Sequence, residues 1–149
     1  MAYCEVADVR AMIKDDALNA LIGDIYIEDV EEREAAFVPL IAAAISDAGA
    51  EIDGYLARRH SLPLPMVPRV IEKYAKDIAV YNLYSRIGID ESDREKNVLN
   101  RYREAIKFLT MLAEGKVEIG VSDTKQAANT GFSMVSGPRR FSRESLRGM

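Results

Sequence analysis

Residues 42–65 read AAAISDAGAEIDGYLARRHSLPLP, and this stretch decides the fold. In its first half Ala44, Ile45, Ala48, Ile52, Tyr55 and Leu56 recur at spacings of three and four, which places them on one face of a helix. Its second half cannot continue that helix, because Pro63 and Pro65 each push the preceding residue out of the helical region. A helix ending in an aromatic, then two arginines, then a proline-punctuated link suits a packing module. No side chain in the stretch is set up for chemistry.

Working upstream, the helix extends back to about residue 38 and adds Phe37, Leu40 and Ile41 to the apolar face. Pro39 is tolerated only in a first helical turn, where no backbone N–H is needed. Ala42, Ala43 and Ala50 keep the flanks thin, so another helix can approach. Gly49 and Gly54 each cost up to about 1 kcal/mol in a helix, which points to close packing or a bend. Residues 24–34 are acidic and irregular, with Ile25 and Ile27 alternating briefly. Before them, residues 8–12 predict a short helix contributing Val9, Met12 and Ile13. Asp15 and Asp16 cap a second through Ile22, burying Leu18, Leu21 and Ile22, with Gly23 as its left-handed stop.

Working downstream, Pro68 opens a second long helix through Ile87. Its stripe is Val70, Ile71, Tyr74, Ala75, Ile78, Ala79, Asn82 and Leu83, and Gly88 closes it. Asp90 with Asp93 resembles a capping box. A third long helix runs to about residue 114 through Val98, Leu99, Tyr102, Ala105, Ile106, Leu109 and Leu112, and Gly115 ends it. Three helices of about 20 residues, each about 30 Å long, can close one core. The expected fold is all-α: a small helical bundle of two short N-terminal helices and three long ones, with an extended C-terminal tail.

After Gly115, VEIGV (117–121) alternates like a short strand. Residues 122–149 are then rich in Ser, Gly, Asn and Arg, with Phe132, Met134, Val135, Phe141 and Leu146 as isolated apolar anchors. Such a segment cannot offset its own ordering entropy, so it is expected to be mobile and to fold on a partner. The domain division is therefore 1–121, a helical body, and 122–149, a flexible basic tail. No internal repeat is apparent.

The charge is uneven. Lys125, Arg139, Arg140, Arg143 and Arg147 against Asp123 and Glu144 give the tail +3, so the net −4 leaves −7 on the body. A basic tail on an acidic body suggests affinity for a negative surface, protein or nucleic acid; the alternative is a solvated tail with no target. At 149 residues the chain is one domain and needs no staples. The lone Cys4 makes no intrachain disulfide, zinc site or redox pair, and fits a reducing, intracellular setting. Apolar runs fall short of the 18 or more residues of a spanning helix, and the first ten residues lack the regions of a signal peptide.

The search for chemistry is nearly empty. His60, the only histidine, has no second histidine or nearby cysteine; at a helix end it would stabilise the last carbonyls. Cys4 has no neighbouring base, which a nucleophile needs, and reads as a packed thiol. Asp24, Glu28, Asp29, Glu31, Glu32 and Glu34 lack the spacing and glycine of a calcium loop. Asp47 and Glu51 share a helix face, but two carboxylates on one helix are not an acid–base pair. Phosphate-loop, dinucleotide and nucleophile-elbow motifs are missing. Tyr55, Tyr74, Tyr81, Tyr84 and Tyr102 fall on helical faces, as core or interface residues. Arg58, Arg59 and Arg86 gather near helix ends beside tyrosines, either as surface charge or as subunit contacts. The acidic 15–24 segment argues against a helix-turn-helix reader of DNA. The expectation is a protein that is not an enzyme and carries no cofactor or metal.

Four blocks carry a resemblance: MAYCEVADVR (1–10), AEIDGYLARRHSLPLP (50–65), YAKDIAVYNLYSR (74–86) and FSRESLRGM (141–149). In order and spacing they resemble a family of Mu-like prophage structural proteins of unknown function, over nearly the whole chain. His60 stands where a tyrosine is more usual in that family, and the acidic loop is shorter than in many members. The layout is also similar to the head–tail adaptors of long-tailed phages, small helical proteins that add as a ring beneath the portal. The resemblance implies a connector in the virion neck, assembled in the host bacterial cytoplasm. It implies a homo-oligomeric ring, dodecameric on the portal, that contacts portal and tail or neck proteins. DNA would pass through without specific readout, and no membrane is involved. Candidate subunit contacts are Tyr55, Arg58, Arg59, Tyr81, Tyr84 and Arg86; candidate portal-docking residues are Phe132, Arg139, Arg140, Phe141, Arg143 and Leu146. The alternative is a small nucleic-acid-binding factor that uses the basic tail.

Overall fold

The computed structural model describes residues 1–23, 26–88 and 93–121, apart from the side chains of 93 and 94. Among the described residues are five helices: α1 Val6–Ala11, α2 Asp15–Ile22, α3 Val30–Leu56, α4 Arg69–Ser85 and α5 Asp93–Ala113. The all-α expectation holds, with no strand among the described residues.

The core forms where the three long stripes meet. Phe37, Ile41, Ile52 and Leu56 of α3, Ile71, Ile78 and Leu83 of α4, and Ala105, Leu109 and Leu112 of α5 are all buried in one cluster. Helix α4 returns antiparallel along α3, since the Asn82 amide donates to the Ala44 carbonyl at 3.5 Å. Helix α5 returns again along α4: the Tyr74 and Phe108 rings lie 4.9 Å apart, and Arg101 sits 2.5 Å from Asp77. Val9, Leu18 and Leu21 seal the open edge from α1 and α2. Leu40 and Tyr55, expected on the buried face of α3, sit half-buried at its rim, as does Ile22 on α2.

Helix α3 begins eight residues before the position expected from Pro39, which lies inside it. The acidic stretch is a helix start rather than a loop throughout. Asp29 caps it, accepting from the Glu32 N–H at 3.3 Å, and Glu31 and Glu32 favour the positive end of the helix dipole. The acidic end is held from outside as well. Arg10 Nε donates to both Glu34 oxygens at 2.9 and 3.0 Å, Nη2 reaches Asp15 at 2.5 Å, and Nη1 donates to the Ile13 carbonyl at 2.9 Å. One guanidinium thus ties α1, α2 and α3 together and holds the Glu34 and Asp15 carboxyls below their usual range. The preceding link is pinned by Asn19, whose side-chain amide exchanges hydrogen bonds with the Ile27 backbone at 3.2 and 3.3 Å.

Other boundaries shift too. Helix α1 starts at Val6, with the Glu5 N–H donating to Asp8 at 3.4 Å, so Asp8 supports the first turn instead of opening it. Helix α2 is capped by Lys14, with Asp15 and Asp16 inside its first turn. Gly23 ends it at φ +136°, outside the expected left-handed helical region but still in glycine's territory. Helix α3 stops at Leu56, short of His60. The link after α3 is non-helical, as the prolines require, but it bends at 62–63 and 65–66 instead of running extended, with Leu64 buried and the Leu62–Pro63 bond cis. The alternation in 117–121 is real, since Val117, Ile119 and Val121 are more buried than Glu118 and Gly120, yet these residues form no strand. The capping pair of Asp90 and Asp93 and the tail 122–149 lie outside the described residues.

Gly49 is buried for a reason the sequence hides. A Cβ there would stand 2.1 Å from the Met1 carbonyl oxygen, so the N-terminal segment lies directly on α3. The Met1 ammonium meets Asp53 at 2.6 Å, and the Tyr3 hydroxyl donates to the other Asp53 oxygen. Gly54, by contrast, faces open space.

Helix α3 is also apolar on most of its circumference. Its most apolar 18 residues have a mean hydropathy of 1.5, and 39% of them are buried. By length and composition it matches a membrane span, which counting unbroken apolar runs misses because Asp47 and Glu51 interrupt them. Its buried stripe is the centre of the bundle core, as expected of a core helix.

Candidate interaction site

The structure separates the tyrosines and arginines that sequence reasoning grouped together. Tyr81 stacks on Tyr102 with centroids 3.9 Å apart and planes 12° from parallel. The Tyr102 hydroxyl donates to Glu51 at 3.1 Å, and burial together with that carboxylate pushes its pKa up to about 12. Tyr55 lies close to the same hydroxyl. Tyr55, Tyr81 and Tyr102 therefore form a half-buried seam across α3, α4 and α5. Tyr84 is buried at 8% exposure, so its ring belongs mainly to the intramolecular core.

Arg58 is exposed just past the end of α3. Arg59 is half-buried, and its guanidinium lies over Gly115, where a Cβ would fall 1.4 Å from Nη1. Gly115 has φ +78°, so glycine is required there on two counts. Arg86 caps α4 at the other end of the bundle. Ala44 lies beside Asn82, so the arginine pair and Arg86 are separated by roughly 20 Å of helix at 1.5 Å per residue. The six candidate contacts thus do not form one patch. Phe132, Arg139, Arg140, Phe141, Arg143 and Leu146 lie outside the described residues.

His60 is buried at 3% exposure, and its Nδ1 has no hydrogen-bond partner among the described residues. Burial, reinforced by neighbouring Arg59, lowers its pKa, so the imidazole is neutral at pH 7. The helix-end carbonyl it was expected to stabilise is met by its backbone instead, with the His60 N–H donating to Leu56 at 2.8 Å. The ring lines a groove of about 310 Å³ with Arg59, Val117, Ile119 and Val121. Cys4 is half-buried, and burial, with nearby Asp8, raises its pKa to about 11, so at pH 7 it is a protonated, weakly reactive thiol. No group of three His, Cys, Asp or Glu residues among those described could hold a metal ion.

Sequence reasoning missed Asp77. Its side chain is fully buried on α4 between Lys73 at 3.1 Å and Arg101 at 2.5 Å. The i,i+4 lysine was legible; the arginine, 24 residues further on, required the fold.

Two outer faces differ in charge. On α5, Lys96, Arg103 and Lys107 are exposed at spacings of seven and four, opposite the buried Ala105, Leu109 and Leu112. None of the three lies in an ion pair among the described residues. On α3 the outer face is short-chained, with exposed Val38, Ala42, Ser46, Ala50 and Gly54, and Glu28, Glu31 and Glu32 cluster at its N-terminal end.

Known proteins match this chain over most of its length. The family model described as Bacteriophage Mu, Gp36 matches residues 3–136. The Mu-like prophage FluMu protein gp36 of Haemophilus influenzae is 28% identical over 144 residues, covering 95% of this chain and 96% of that one. Gene product J of Escherichia phage Mu is 34% identical over 104 residues, covering 68% and 70%. A 28% match to the glycine–tRNA ligase beta subunit of a Janthinobacterium species covers 90% of this chain but 19% of that one. Matched from residue 3 to residue 136, the chain belongs to the Bacteriophage Mu, Gp36 family of Mu-like phage proteins.

Proposed function

We propose that this protein is a non-enzymatic head–tail connector of a Mu-like phage, adding as a homo-oligomeric ring to the portal and linking the filled head to the tail. Membership of the family supplies the phage setting. The observation that carries the connector reading is the largely apolar face that α3 leaves exposed, on a bundle whose buried and half-buried carboxylates are engaged in packing. Asp53, Asp77, Glu34 and Glu51 each hold another element in place, and such groups serve shape rather than turnover. In this reading α3 is a bundle core helix with no membrane to cross. The tail 122–149 lies along the portal, through Phe132, Arg139, Arg140, Phe141, Arg143 and Leu146. The neck of the virion is the place of action and the host cytoplasm the place of assembly.

Mixing the purified full chain with purified portal, followed by native mass spectrometry and negative-stain imaging, tests the reading. The expected result is an added ring on one face of the portal. A portal that stays bare, together with a virion neck containing no copy of the chain, overturns it.

A further inference from the structure

A helix that is apolar well beyond its core stripe leaves apolar surface that a second contact can bury. Within one chain α3 buries only its core stripe, leaving Val30 58% exposed, Val38 45% exposed, and Ala42, Ser46 and Ala50 in solvent. Short side chains on that face would let another helix approach closely. The approach is also biased by charge, because Glu28, Glu31 and Glu32 stand exposed at one end of the face.

The chain carries the complement itself. Lys96, Arg103 and Lys107 project from the outer face of α5, and long basic side chains lay their aliphatic stems on apolar surface while their heads reach a carboxylate. We infer that the outer face of α3 seats the outer face of α5 from a second copy of this chain. Val38 and Ala42 would lie beneath the basic stems, and Glu28, Glu31 and Glu32 would meet the cationic heads. The two faces are different surfaces of one protomer, so the contact is heterologous and propagates into a ring or a filament. The inference rests on the ring reading only for the identity of the occupant, and it places the contact away from the Tyr55–Tyr81–Tyr102 seam.

The test is sedimentation velocity of the full chain across a range of concentrations, at low and at high salt. Wild type is expected to self-associate, more weakly at high salt. Reversing one face (K96E, R103E and K107E together) or the other (E28K, E31K and E32K together) is expected to weaken association about tenfold or more. Mixing the two reversed proteins is expected to restore it, since each then offers what the other lacks. Circular dichroism of each variant alone shows whether it is folded, and restoration on mixing cannot come from unfolded chains. A wild type that stays monomeric throughout overturns the inference. So does association that survives reversal of α5 but not of the acidic end, which would make the basic tail the occupant. Self-association without portal binding would refute the connector reading alone, and portal binding by a strict monomer would refute the inference alone.

Discussion

Two buried polar side chains sit at different corners of the bundle and are treated in opposite ways. Asp77, in the α4–α5 seam, stands between two cations: Lys73 of its own helix donates to Oδ2, and Arg101 of the next meets Oδ1 as an ion pair without hydrogen-bond geometry. His60, in the corner beyond α3, has an Nδ1 without a hydrogen-bond partner among the described residues. A carboxylate cannot be buried charged without partners, so Asp77 commits α5 to one register against α4. An imidazole can escape the same cost by giving up its proton, and His60 does so. The seam is thus specified by charge, while the corner tolerates a polar atom that contributes nothing to holding it.

Removing one partner from the seam should have the largest effect. Arg101→Ala leaves the buried carboxylate with Lys73 alone, and chemical denaturation is expected to show a loss of about 2–3 kcal/mol. A variant as stable as wild type would break the contrast. At the corner the sign reverses: His60→Leu removes an orphaned nitrogen from an apolar site and is expected to raise stability by about 1 kcal/mol. The same variant should flatten the pH dependence. In the unfolded chain His60 titrates near 6.5, whereas burial holds the folded value lower. The stability it contributes is therefore complete above pH 6.5 and is lost as pH falls from there towards the folded value. Thermal melts between pH 7 and pH 5 should show a decline in wild type that is shallower in His60→Leu. The smallest effect belongs to Lys73→Ala: the lysine is 56% exposed, and its loss is expected to cost under about 0.5 kcal/mol while Arg101 remains.

The bundle was legible because its stripes keep helical spacing and its stops are glycine and proline. Ile71, Ile78 and Leu83 were placed on the buried face from spacing alone, and Gly115 ends α5 close to where it was expected. The start of α3 was not legible. Acidic residues ahead of a helix serve equally as a solvated loop or as a first turn complementing the dipole, and Pro39 tipped the reading the wrong way. The 117–121 segment shows the converse failure, in which alternation reports which side chains turn inward but cannot supply a neighbouring strand. Of the candidate contacts, residue type picked out the tyrosine seam, but only the packing shows that Tyr84 faces inward and that Arg86 stands far from Arg58 and Arg59. The basic face of α5 is ordinary by itself and carries no signal in sequence, and the acidic residues 28–32 invite only the question of a cation; that they stand at one end of an exposed apolar helix face needs the fold.

Pro39 has a mechanical consequence. It brings no N–H to the Ala35 carbonyl, so the coil of α3 lacks one rung at that level. The nine residues ahead of it form a short lever whose weakest joint lies at its root, and Arg10 is the clasp that fixes its angle through Glu34. Bending of α3 is easiest where that rung is missing, and a single guanidinium resists it.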